Sequence, residues 1–102
     1  LEEFGRKQQL SQRQIYAMQL AAEEALMLKL LPIEKEAGGM DISLDVEYSE
    51  RESLIQMRFS YNGRSFHPFG GEEDLSGRML KGVSRGMEHQ YADGVNHFVI
   101  SL

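Results

Sequence analysis

The chain has 102 residues, 41% of them hydrophobic and 26% charged, with a formal net charge of −5 and no cysteine. That length holds one hydrophobic core and not two, and the composition argues against a disordered chain. Lacking cysteine, the chain has no disulfide framework and no thiolate metal site. Its acidic balance argues against a general nucleic-acid surface, which needs clustered Lys and Arg.

No apolar run reaches the ~20 residues of a bilayer span, so direct membrane insertion is not expected. Leu1 stands where a start Met would. Residues 1–102 therefore read as a single domain cut from a larger protein, in a setting compatible with the cytoplasm.

Leu1–Gln9 reads as a short helix with Leu1 and Phe4 on one face. Ser11-Gln12-Arg13-Gln14 is a capping-box pattern, in which the Ser11 hydroxyl and the Gln14 side chain satisfy each other's end of the first turn. A long helix follows to about Leu31. Ile15, Met18, Ala22, Ala25 and Leu26 recur at helical spacing, and from Leu26 to Leu31 only Lys29 is polar. Pro32 is expected to stop it.

A charged stretch over Ile33–Gly39 ends in the Gly38-Gly39 turn. Ile42, Leu44, Val46 and Tyr48 then alternate with polar residues, which predicts a half-buried strand. Ile55, Met57, Phe59 and Tyr61 alternate in the same way, giving a second strand and a hairpin. Asn62-Gly63 breaks it. Arg64–Asp74 is a loop with Pro68 and Gly70-Gly71. A helix is predicted from about Glu72 or Leu75 to Met87, with Leu75, Met79, Val83 and Met87 on one side. His89–Ala92 and Val95–Leu102 read as two further strands joined by Asp93-Gly94, a hairpin signal.

The expected order is α-α-β-β-α-β-β. It makes an α+β two-layer sandwich: a four-stranded, mostly antiparallel sheet with three helices on one face.

Against this pattern stands a resemblance. Ala21–Leu31, AAEEALMLKLL, resembles the N-box helix of the GHKL (Bergerat-fold, histidine-kinase-like) ATPases, and most of all their anti-sigma-factor branch. In that family a Glu on this helix is followed four residues later by an Asn that holds Mg²⁺ against the nucleotide phosphates. The Glu falls at Glu24. The Asn position is Leu28, which has no lone pair for a metal.

IQMRFSYNGRSFHPF resembles the family segment that carries an Asp, one residue and a Gly, followed by Phe-Asp-Pro. Gly63 is kept, and Phe66-His67-Pro68 is an echo of the Phe-Asp-Pro. Tyr61 stands where the family's Asp accepts a hydrogen bond from the adenine amino group. LSGRMLKGVSRGM is similar in part to the glycine-rich turn that brings backbone amides to the phosphates, with Gly77 at the first glycine and Met79 at the second. GVNHFVISL resembles the last hairpin, with Gly94, Val95 and Asn96. The element order is also that of the minimal Bergerat domain.

The resemblance thus implies a retained scaffold with altered ligand positions. Glu24 is the remnant base candidate, and Leu28, Tyr61, Gly63, Gly77 and Met79 are remnants of the nucleotide pocket. Metal and base are jointly required for hydrolysis, so the expectation is a catalytically impaired domain without a cofactor. It would act as a regulatory or interaction module of a larger bacterial signalling or transporter protein. Its partner would be another protein or other domains of the same chain, and its N-terminal helices would offer a homodimer surface.

The alternative is an ATP-binding anti-sigma-factor-like serine kinase with an atypical site. ATP and Mg²⁺ would then bind, with Asn62 or Asn96 in ligand contact. A third reading is an unrelated α+β binding module.

Other features have two readings each. Glu23-Glu24 is a catalytic remnant, or one solvated Glu beside one helix-face Glu paired at i,i+4. Gly70-Gly71 is a phosphate cradle or a shortened flexible loop. His67, His89 and His97 lack close ligand spacing and read as independent before they read as a metal site. Met18, Met27, Met57, Met79 and Met87 read as core filler before an adaptable binding surface. Arg78, Lys81 and Arg85, on one predicted helix, grip a phosphate or an acidic partner, or form a solvated face.

Overall fold

The computed structural model describes residues 10–32, 41–70 and 75–102, without the side chains of Leu28 and Ser76. The helix expected at Leu1–Gln9, the Gly38-Gly39 turn, Gly71 of the glycine pair, and the acidic run Glu72–Asp74 lie outside the described residues.

Helix α1 spans Gln12–Ala22 and starts on the expected capping box: Ser11 Oγ accepts from the Gln14 backbone N–H at 3.1 Å, and Gln14 Oε1 accepts from the Ser11 N–H at 3.1 Å. It buries Ile15, Ala17, Met18 and Ala21. The helical path continues through Glu23–Leu30 in a wider winding, in which the Leu31 N–H donates to the Leu26 carbonyl five residues back. The helical path runs to Pro32, the residue expected to end it and the last described before Asp41.

Strands β1 (Ile42–Ser49) and β2 (Leu54–Asn62) form the expected hairpin, in register from Ile42–Tyr61 to Ser49–Leu54. Helix α2 covers Leu75–Val83, and strands β3 (Gly86–Ala92) and β4 (Val95–Ser101) form the second hairpin. Its two-residue turn has Asp93 at φ 52° and Gly94 at φ 78°, the double positive φ that an Asp-Gly hairpin favours.

One boundary is corrected. Met87 was placed on the third helix, but α2 stops at Val83 and Met87 pairs with Ile100 in β3. Met87, His89 and Tyr91 alternate with Glu88 and Gln90. The ladder to β4, from Gly86–Ser101 to Ala92–Val95, outweighs a four-residue apolar spacing that fitted a helix. Arg85 therefore leaves the helix face it was expected to share with Arg78 and Lys81.

The sheet order is β1-β2-β4-β3, and every pair is antiparallel. Among the described residues the architecture is α+β: one four-stranded sheet and two helices. Ile55, Met57, Phe59 and Tyr61 of β2 and Asn96, Phe98 and Ile100 of β4 are buried on one face. They join Ile15, Met18, Ala21, Ala25, Leu30 and Leu80 of the helices in a single core. Each large apolar side chain so buried contributes about 1.5–3 kcal/mol. The other sheet face carries Asp45, Glu47, Gln56, Arg58 and Glu88 and is open to solvent. Among the described residues no helix is long and apolar enough to cross a membrane.

Candidate functional site

Tyr61 is the last buried residue of β2. It is 1% exposed, and its hydroxyl donates to the Phe66 carbonyl five residues on. Burial pushes the phenol far above its ordinary range, so it remains a donor at any physiological pH. The side chain is part of the core, with its one polar atom committed to the loop that follows. Gly63 is a corner: at φ 114° it occupies a conformation that suits only glycine. Its N–H donates to the Gly94 carbonyl at 3.1 Å, and its carbonyl accepts from the Tyr91 hydroxyl at 2.8 Å.

The remaining sequence candidates are spread over the helices. Glu24 and Leu28 lie on the wide helical segment; Glu24 is buried and Glu23 exposed. Where the Leu28 side chain packs lies outside the described residues. Gly77 is buried within α2, and Met79 on the same helix is 39% exposed. The core-filler reading of the methionines thus holds for Met18 and Met57, while Met27 and Met79 face solvent.

A dense polar cluster is centred on Asn96, which the sequence offered only as part of a hairpin or as a substitute ligand. Asn96 is fully buried in β4. Its Oδ1 accepts from the Phe66 backbone N–H at 2.9 Å and pairs with His89 Nε2 at 2.8 Å. Its Nδ2 donates to the carbonyls of Tyr61 at 3.2 Å and Arg64 at 2.9 Å. The amide orientation is set by these partners, because a backbone N–H can only donate and a carbonyl only accept. It follows that His89 carries its proton on Nε2. One side chain thus straps residues 61–66 to the sheet, with all four of its hydrogen-bonding positions used.

His67 extends the strap. Its Nδ1 accepts from the Phe69 N–H at 3.0 Å, which requires a neutral ring protonated on Nε2. The ring lies 5.4 Å from that of His89 and 5.2 Å from that of Phe98. Burial, then the neighbouring His89, lowers its pKa from the ordinary value. A metal taken by His67 through Nε2 would force a proton onto Nδ1, in conflict with the Phe69 N–H. Among the described residues no group of three or more His, Asp or Glu is placed to hold a metal ion. Two of the three histidines expected to act independently do come together, but as parts of a loop anchorage.

His97 lies on the opposite, open sheet face, with Nδ1 3.1 Å from Ser60 Oγ. This pair was not foreseen, and no local motif marks it, because it is made by the β2–β4 register. A nucleophilic serine needs a base oriented by a third group and donors for an oxyanion. The flanking positions in this row are Ser43 and Gln90, neither of which is a carboxylate. The arrangement is that of a cross-strand polar pair.

No protein-family model, no curated protein and no solved structure matches the chain.

Proposed function

We propose that the chain is a regulatory or interaction module of a larger bacterial signalling or transporter protein, on a histidine-kinase-like ATPase scaffold that has lost ATP hydrolysis. Its partner is another protein or a neighbouring domain of the same chain, and it works in the cytoplasm without a bound cofactor. The observation that carries the reading is Tyr61. The resemblance asks for an adenine-reading carboxylate at this position, and the chain has a buried phenol tied to the Phe66 carbonyl. Met79 at the second glycine of the phosphate turn and Leu28 at the metal position point the same way.

Thermal-shift titration with ATP, ADP and GTP, with and without Mg²⁺, tests it. Specific binding raises the midpoint by mass action. The expected result is no Mg²⁺-dependent rise; a clear one overturns the reading.

One observation favours the alternative, an ATP-binding serine kinase of the anti-sigma-factor kind. Glu24 is buried on a wide helical turn, a geometry that recurs at functional sites. Phosphoryl transfer to a protein serine by the native chain, abolished in Glu24→Gln, would establish it.

A further inference from the structure

The sheet has two edges, β1 and β3, and the hydrogen-bond register shows which backbone groups each one offers. The Gly63 N–H donates to the Gly94 carbonyl and the Leu102 N–H to the Ile55 carbonyl, so the even-numbered residues of β4 spend their backbone groups on β2. The odd-numbered ones face β3, as the Ser101 carbonyl does in accepting from the Arg85 N–H at 2.6 Å. Glu88 and Gln90 are therefore bonded to β4, and the N–H and C=O groups of Met87, His89 and Tyr91 point away from the sheet. Among the described residues no strand pairs with them. The same alternation turns the backbone of Leu44 and Val46 outward on β1.

Charge separates the two edges. If β1 pairs antiparallel with its own copy over the full strand, Ile42 meets Tyr48, Leu44 meets Val46, and Asp45 meets Asp45. Those carboxylates fall in a non-hydrogen-bonded pair, where side chains come closest, and like charges there are destabilising. Such an edge is guarded against its own copy. Strand β3, GMEHQYA, has no Lys, no Pro and a single acid. Paired antiparallel about His89, it uses every outward N–H and C=O of Met87, His89 and Tyr91. Met87 of each copy then lies opposite Tyr91 of the other, and Glu88 lies opposite Gln90, whose amide is a donor for the carboxylate. Tyr91 is 44% exposed although its hydroxyl is tied to the Gly63 carbonyl, so its ring has apolar surface left to cover.

We propose that the domain forms a two-fold dimer by antiparallel pairing of β3 with β3 of a second copy, joining the two sheets into one. The contact is the same patch on both copies and closes on itself. A seam of one short strand buries less than a permanent interface does, so the dimer is weak and reversible. It is a different surface from the N-terminal helices, and it forms whether or not the domain binds nucleotide.

Sedimentation velocity over a rising concentration of the chain tests this, together with amide hydrogen exchange read by NMR at low and high concentration. The expected result is a weight-average mass that climbs toward two chains. The amides of Met87, His89 and Tyr91 gain protection with concentration, and those of Leu44 and Val46 do not. Gln90→Glu, at an exposed position, sets a second carboxylate against Glu88 on both sides of the axis and weakens the dimer by about threefold or more. Gln90→Lys tightens it by about threefold. Asp45→Asn, exposed on the other edge, changes the net charge by the same amount as Gln90→Lys and leaves association unchanged. A chain that stays monomeric throughout overturns the proposal. So does protection gained on Leu44 and Val46 or on α1 instead, or association indifferent to the charge at position 90. Growth beyond two chains overturns the closed two-fold arrangement.

Discussion

Asn96 concentrates more of the loop's order than any other described side chain. Replacing it with Ala leaves the Phe66 N–H, His89 Nε2 and the Tyr61 and Arg64 carbonyls without that partner. The expected cost is on the order of 3 kcal/mol, read from urea unfolding. Asn96→Asp keeps the shape but sets a carboxylate oxygen against two carbonyls, and should cost about as much.

His67 gives a pH signature. Its folded pKa lies below the unfolded value of 6.5, so the unfolded chain binds this proton first as the pH falls. Stability from this group is complete above 6.5, declines as the pH drops through that value, and levels off once the folded ring also protonates. His67→Asn keeps an acceptor where Nδ1 stands and does not titrate. The melting temperature of the native chain should fall more steeply from pH 7.5 to 5.5 than that of the variant, and parallel curves would contradict this. Gly70 adds a steric condition, since a Cβ there would meet His67 Cβ at 2.8 Å. Little of this was legible beforehand: the partners of Asn96 sit on β2, β3 and the loop, and only the sheet register brings them to one amide.

Elements were more legible than contacts. Strands β1 and β2 follow from strict alternation over Ile42–Tyr48 and Ile55–Tyr61, since one face must be buried. The helix start follows from the capping box, and Ser11→Ala should cost about 1 kcal/mol by thermal melting, with Ser11→Asp close to neutral. The wide winding of Glu23–Leu30 is not signalled within AAEEALMLKLL, which is compatible with an ordinary α-helix throughout; Pro32, which stays in the helical path, has no N–H to bond the carbonyl four residues back. The α2–β3 boundary was misplaced for the opposite reason. Val83 and Met87 fit one helix face, but only pairing with Ile100 on a distant strand reveals that Met87 belongs to the sheet.

At the scale of the whole molecule, periodicity was enough for an α+β fold with a four-stranded antiparallel sheet, because an alternating sheet face and an apolar helix stripe each need a cover. The basic trio split: Arg78 and Lys81 lie on α2, while Arg85 lies between α2 and β3 and pins the β1–β2 turn through Glu52 and Ser53.

The strand order also has a kinetic side. Each hairpin closes between neighbours in sequence, whereas the β2–β4 seam sets Asn62 against Val95 across the whole loop and α2. Closing that long intervening chain costs entropy before any ladder bond repays it. The Asp93-Gly94 turn can form early and at little cost, but the Asn96 strap arises only with the seam. The loop anchorage is therefore expected to form together with the seam and not before it.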